Sequence, residues 1–92
     1  MYSRGSVTGM INKVKKYLKS LANEYSPTEL KIKVKEIVQH PDLTEIEQWL
    51  IYYTYGEQRM VVNTCRKLGL QETQYYVTQN LALIKLYYIL GL

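Results

Sequence analysis

Apolar residues recur at helical spacing along almost the whole chain, and this periodicity constrains the fold more than any single motif does. Met10, Ile11, Val14, Leu18 and Leu21 fall at i, i+1, i+4, i+8 and i+11, one face of a first helix, with Lys13, Lys16 and Lys19 mostly off that face. The first break is Asn23-Glu24-Tyr25-Ser26-Pro27. Ser26 and Glu29 have capping-box spacing, and Pro27 stands at the first helical position, where its missing N–H costs nothing. The second helix then buries Leu30, Val34, Ile37 and Val38, with Lys31 and Lys35 on its flank. Residues 30–38 also admit a strand, because Ile32 and Val34 alternate with lysines; the capping box favours the helix. His40-Pro41-Asp42 is the second break, and Thr44 with Glu47 forms a second capping box. The third helix points Ile46, Trp49, Leu50 and Tyr53 inward, and Gly56 is placed to end it in the left-handed conformation that glycine takes cheaply. The fourth runs from Glu57 to about Lys67, with Met60, Val61, Cys65 and Leu68 inward. After Leu68-Gly69-Leu70, the fifth starts at Gln71 or Glu72 and reaches about Leu90, with Gly91 past its end. The expected fold class is all-α with about five helices.

Size sets the scale of what such a bundle does. A chain of 92 residues makes one small domain, 1–92, without repeats or a linker. It buries only about 60–65% of the surface its unfolded form exposes, which disfavours an elaborate active-site cleft. The single cysteine, Cys65, makes no internal disulfide and points to a reducing compartment. Met1 to Thr8 carries no apolar signal core. The apolar stretch Leu81 to Leu92 is interrupted by Lys85 and falls short of the roughly 20 residues of a membrane span. The expectation is a cytoplasmic protein without membrane association.

Charge divides the chain. The net charge is +4. Residues 1–41 carry eight basic against three acidic side chains, a net +5; residues 42–92 carry four against five, a net −1. A basic half suits phosphate or an acidic protein, although solvated helix faces are also lysine-rich. The division is thus 1–41, basic N-terminal helices, and 42–92, a C-terminal half with a different balance.

Catalytic chemistry finds no footing. His40 is the only histidine, precedes a proline in a turn, and has no second ligand at metal-binding spacing. Cys65 has no histidine partner and reads as core, placed where the fourth helix must approach the fifth closely. Glu45 and Glu47 are explained by a helix start. There is no glycine-rich phosphate loop and no nucleophile elbow. The chain is expected not to be an enzyme, with no metal, no cofactor and no small-molecule substrate.

The informative stretch is Met60 to Leu90. A short helix, a turn centred on Gly69 and flanked by Leu68 and Leu70, and a longer helix make a helix-turn-helix layout, which a plain two-helix hairpin also displays. Three segments carry more: Ile51-Tyr52-Tyr53-Thr54-Tyr55-Gly56, then Val61-Val62-Asn63-Thr64-Cys65-Arg66-Lys67-Leu68-Gly69-Leu70, then Gln74-Tyr75-Tyr76 with Ala82-Leu83-Ile84-Lys85-Leu86. On these residues Trp49 to Leu90 resembles the C-terminal helix-turn-helix of the ArpU/RinA-type phage late-gene transcription regulators, itself similar to region 4 of bacterial sigma factors. The resemblance implies a phage or mobile-element transcription regulator acting in the bacterial host cell on double-stranded DNA. Residues 1–41 lie outside it.

The family presents several Arg and Lys in the first two turns of its recognition helix, whereas this chain has no basic residue between Lys67 and Lys85. The residues expected at DNA are Arg66, Lys67, Gln71, Gln74, Tyr75, Thr78, Gln79 and Asn80. Gln74, Gln79 and Asn80 suit adenine edges; Tyr75, Tyr76 and Thr78 suit phosphates or thymine methyls. Phosphate neutralisation dominates non-specific affinity, so the cations must come from Arg59, Arg66 and Lys67 or from the N-terminal lysines.

The last helix is apolar nearly all round. Val77, Leu81, Ile84 and Tyr88 form one face and Leu83, Leu86, Tyr87 and Leu90 another; one is core, and the other is more core or a partner surface. Leu83, Leu86, Tyr87 and Leu90 are taken as the partner face. It suits a homodimer or a heterodimer, since the resembled regulators act as oligomers. The alternative function is a helix-turn-helix-like modulator without basic recognition residues that acts on a related phage activator or on RNA polymerase. A third reading is a structural domain whose Lys13, Lys15, Lys16, Lys19, Lys31 and Lys35 touch nucleic acid without sequence preference. Trp49 is read as packing. Of each tyrosine pair (Tyr52-Tyr53, Tyr75-Tyr76, Tyr87-Tyr88) one ring is expected inward and one outward.

Overall fold

The computed structural model describes residues 4–92, with side chains from Ser6 onward. Met1–Ser3, part of the stretch Met1 to Thr8 weighed for a signal core, lie outside the described residues. Five α-helices follow in order: α1 (Arg4–Glu24), α2 (Pro27–Val38), α3 (Glu45–Ile51), α4 (Val61–Leu68) and α5 (Glu72–Ile89). A π-helical turn, Tyr52–Gly56, extends α3, and no strand occurs among the described residues. The fold is all-α.

Both capping boxes form. Ser26 Oγ accepts from the Glu29 amide while Glu29 Oε1 accepts from the Ser26 amide, with Pro27 at the first helical position. Leu30, Val34 and Val38 are buried and Ile32 is 57% exposed. A strand would put Ile32 on the same face as Leu30 and Val34, so this exposure removes the strand reading. α2 stops before His40-Pro41, as expected for the residue preceding proline. His40 Nδ1 accepts the Asp42 amide in the turn that follows, and Leu43 behind it enters the core.

Several placements in the middle of the chain differ from expectation. Gly56 does not end α3 in the left-handed region. It lies inside the π turn and is buried, and a Cβ there would sit 3.1 Å from Tyr52 Cδ1 and 3.3 Å from Val34 Cβ. Its role is close approach to α2; the left-handed residue is Gln58, with φ +55°. Trp49 is not core. It stands 38% exposed, stacked on Tyr53 at 5.4 Å and edge-on to Tyr52 at 5.8 Å. α4 starts at Val61 rather than Glu57, which leaves Met60 as an extended N-cap residue and exposed. Ile46 is also exposed, at the first turn of α3. The tyrosine pairs follow the inward-and-outward rule at Tyr75-Tyr76, whereas Tyr52 and Tyr53 are both half-buried in the ring cluster.

The α4–α5 connection is as expected. Gly69 has φ +66°, and its amide and that of Leu70 both donate to the Cys65 carbonyl. Leu68 and Leu70 pack against the core. Cys65 is only half-buried; Thr64 takes the fully buried position, and its Oγ1 has no hydrogen-bond partner. α5 ends at Ile89, and Gly91 just past it has φ +70°.

The core gathers Val14, Leu18 and Leu21 from α1, Leu30 and Val34 from α2, Leu50 and Ile51 from α3, and Tyr75, Ala82, Leu83 and Leu86 from α5. α1 runs antiparallel to α5. Lys13 Nζ donates to the Leu92 carbonyl, while Lys15 and Lys19 lie beside Tyr75, Tyr76 and Gln79 at the other end of α5. α3 is tied to α5 by one carboxylate. Buried Glu47 accepts the Thr44 amide at 2.8 Å and Lys85 Nζ at 2.7 Å on the same oxygen. Burial opposes its ionisation, but the bonds from Lys85 and from the backbone and side chain of Thr44 outweigh this and hold its pKa below the ordinary 4.5.

Two stability measurements follow. A folded-state pKa below the unfolded value means that the unfolded chain binds more protons at low pH. The Glu47 contribution is therefore complete above about pH 4.5 and is lost as pH falls through the lowered value. Glu47→Gln is expected to cost about 1–2 kcal/mol at pH 7 and to flatten the acid limb of urea-unfolding stability against pH. Thr64→Val, which removes an unpaired buried hydroxyl at constant shape, is expected to raise stability by about 1 kcal/mol in the same assay.

Candidate nucleic-acid interface

The C-terminal half of α5 is apolar nearly all round, so the register of the helix decides what it shows to solvent. Tyr75, Gln79, Ala82, Leu83 and Leu86 repeat at three- and four-residue spacing and are buried. The opposite side carries Thr73, Gln74, Tyr76, Val77, Asn80 and Leu81, all exposed, with Tyr88 further along. Gln71 caps the helix: its amide donates to Gln74 Oε1 at 2.9 Å.

This register sorts the expected DNA-contacting residues. Gln71, Gln74 and Asn80 face solvent at or near the N-terminal half of α5, and Thr78 is half-buried. Two others are corrected. Tyr75 is 1% exposed, with its hydroxyl 2.9 Å from Thr54 Oγ1. Gln79 is 5% exposed and donates from Nε2 to the Tyr55 hydroxyl. Both ends of each hydrogen bond are spoken for by the fold, so neither side chain reads a base. Burial raises the Tyr55 pKa to about 12, with Tyr75 adding to the effect; burial raises that of Tyr75 too, against the opposing bond to Thr54. The two phenols are therefore neutral hydroxyls near neutral pH.

The expected partner face is also corrected. Leu83 and Leu86 are fully buried in the core, and Tyr87 and Leu90 pack half-buried against it. The apolar side chains open to solvent are those of the other face, Val77, Leu81 and Tyr88. Sequence alone does not distinguish the two faces, because each has enough apolar area to be core; the mates on α1 and α3 make the choice.

The cations lie off α5. Arg66 and Lys67 are exposed in the last turn of α4, with Lys67 Nζ 5.3 Å from the Tyr53 ring centre. Arg59 is paired with Glu57 and leans on Tyr53. A groove of about 480 Å³ opens between α1, the π turn, the start of α4 and α5. Lys15 and Lys19 line it from α1, Tyr76 from α5, and Tyr55 and Gln79 lie at its floor. Tyr76 and these two lysines were missed as one cluster because contacts between α1 and α5 span more than 50 residues of sequence. No group of three or more His, Cys, Asp or Glu suited to a metal occurs among the described residues. No described helix is long and apolar enough to cross a membrane.

Compared with known proteins, the chain matches no family model, no curated protein and no solved structure.

A simple mutational contrast checks the register. Gln79→Ala removes a buried amide and its bond to Tyr55 and is expected to cost about 1–3 kcal/mol. Thr73→Ala, on the exposed side, is expected to stay within about 0.5 kcal/mol. Equal effects in thermal unfolding would place the register elsewhere.

Proposed function

We propose that this protein is a DNA-binding regulator of transcription. In this reading α4, the Gly69 turn and α5 form a helix-turn-helix, and the exposed N-terminal half of α5 enters the major groove. One observation carries it: the solvent side of α5 opens with Thr73, Gln74, Tyr76, Val77 and Asn80, with the cations Arg66 and Lys67 on the preceding helix. Gln74 and Asn80 offer amides that pair with adenine, Val77 an apolar contact for a thymine methyl, and Arg66 and Lys67 charge for phosphates. The resemblance of Trp49–Leu90 to ArpU/RinA-type regulators extends the proposal to phage or mobile-element late genes.

A second reading has its own support. Val77, Leu81 and Tyr88 leave an apolar stripe exposed along α5, which suits a protein contact: a second copy, a related activator or RNA polymerase. In that case the chain modulates transcription through a complex rather than through bases.

Fluorescence anisotropy with labelled duplexes separates the two. The DNA reading expects binding at low salt that weakens steeply as salt rises. On the preferred duplex Gln74→Ala and Asn80→Ala are each expected to weaken binding by roughly 5- to 150-fold, matching about 1–3 kcal/mol per bidentate base contact, and to have little effect on random duplexes. An absence of binding at low salt would leave the apolar stripe and its protein partner as the function.

A further inference from the structure

We infer that Lys15 and Lys19 of α1 hold backbone phosphates of the DNA beside α5, which makes the groove between these helices part of the nucleic-acid interface. The inference rests on the DNA-binding reading and adds to it a segment, residues 1–41, that lies outside the resembled helix-turn-helix.

The starting point is a deficit. From Gln71 to Leu81 the chain has no cation, yet phosphate neutralisation supplies most of non-specific DNA affinity. A helix with its side chains is about 10–12 Å across and fills a major groove about 12 Å wide, so the two phosphate ridges run along its flanks. α4 packs against α5 and offers Arg66 and Lys67. α1 packs against it too, and there Lys15 and Lys19, one helical turn apart, border the groove that Tyr76 shares with the exposed face.

The groove has the chemistry of a phosphate seat. No acidic residue lines it, so neither lysine meets a carboxylate there. Tyr55 lies in the floor, where its hydroxyl accepts from Gln79 Nε2. Gln58 also lines the groove, and is the described non-glycine residue held at positive φ, a conformation that costs energy and turns its side chain out of the helical path. Lys13, on the same helix, is instead engaged with the Leu92 carbonyl at the far end of α5. The two groove lysines are thus set apart by position and not only by composition.

The test is the salt dependence of DNA binding for Lys15→Gln/Lys19→Gln against Lys16→Gln/Lys33→Gln, a pair with the same net charge whose side chains lie outside the groove. Far-UV circular dichroism verifies that both fold. Loss of two phosphate contacts is expected to reduce the slope of log K against log salt by about 1.8, which at 0.1 M salt is a loss of roughly 60-fold, while the control pair stays near wild type. Equal losses in both pairs would reduce the lysines to diffuse charge and overturn the site. An unchanged slope in the groove pair, with wild type still binding steeply, would overturn the inference and leave α5 as the DNA reader. A wild-type chain that ignores DNA at low salt would overturn the reading beneath it. Adenosine monophosphate, followed by amide NMR shifts at Gln58 and Tyr76, distinguishes the source of the phosphate. Saturable shifts at low millimolar ligand, lost in the groove pair whose DNA slope is unchanged, would make a free phosphomonoester the occupant and overturn the backbone assignment.

Discussion

What α5 shows to solvent follows from how it is rolled about its own axis. Hydrophobicity does not set that roll, since leucines, tyrosines and isoleucine surround the helix. A polar pin does. The Glu47 carboxylate is held by the cap of α3 and by Lys85, and Lys85 can reach it only when Ala82, Leu83 and Leu86 face the core. On the other flank the Thr54–Tyr75 and Tyr55–Gln79 bonds impose the same rotation from the π turn. Partly buried polar contacts of this kind contribute little net free energy and much discrimination, because any other roll strands an acceptor or a charge in the interior.

This division explains what was legible from residue order. Capping boxes at Ser26 and Thr44, the glycine at 69 and the termination at Gly91 are local devices, and each stands where local chemistry puts it. What failed was non-local. Leu83 and Leu86 look like any other apolar pair until α1 and α3 are in place. Tyr75 and Gln79 look like a tyrosine and an amide on a recognition helix until Thr54 and Tyr55 are found opposite them. Gly56 fitted a helix end by type, but the chain widens into a π turn there, which puts the glycine where a Cβ would press on Tyr52 and Val34. Trp49 misled for a related reason: its spacing matches Leu50's helix, but α3 is only seven residues long and its outer edge carries a ring cluster rather than a neighbouring helix.

The two halves of the chain, so different in charge, are mechanically one unit. α1 forms the longest side of the bundle and contributes Val14, Leu18 and Leu21 to the same core as α5. The lysines at 15 and 19 are therefore presented by a helix whose position is set by burial, rather than by a loose basic arm. A cation on a rigid element loses less conformational freedom when it meets an anion, which favours defined geometry over diffuse attraction.

The ring cluster on α3 has a separate consequence. Trp49 is the only tryptophan of the chain, and it is stacked on Tyr53 beside the groove that α3 shares with α2. Its indole emission is thus a built-in optical reporter of that junction. It senses whether the π turn is closed against α2, so the folding of that junction can be followed in a cuvette without a label.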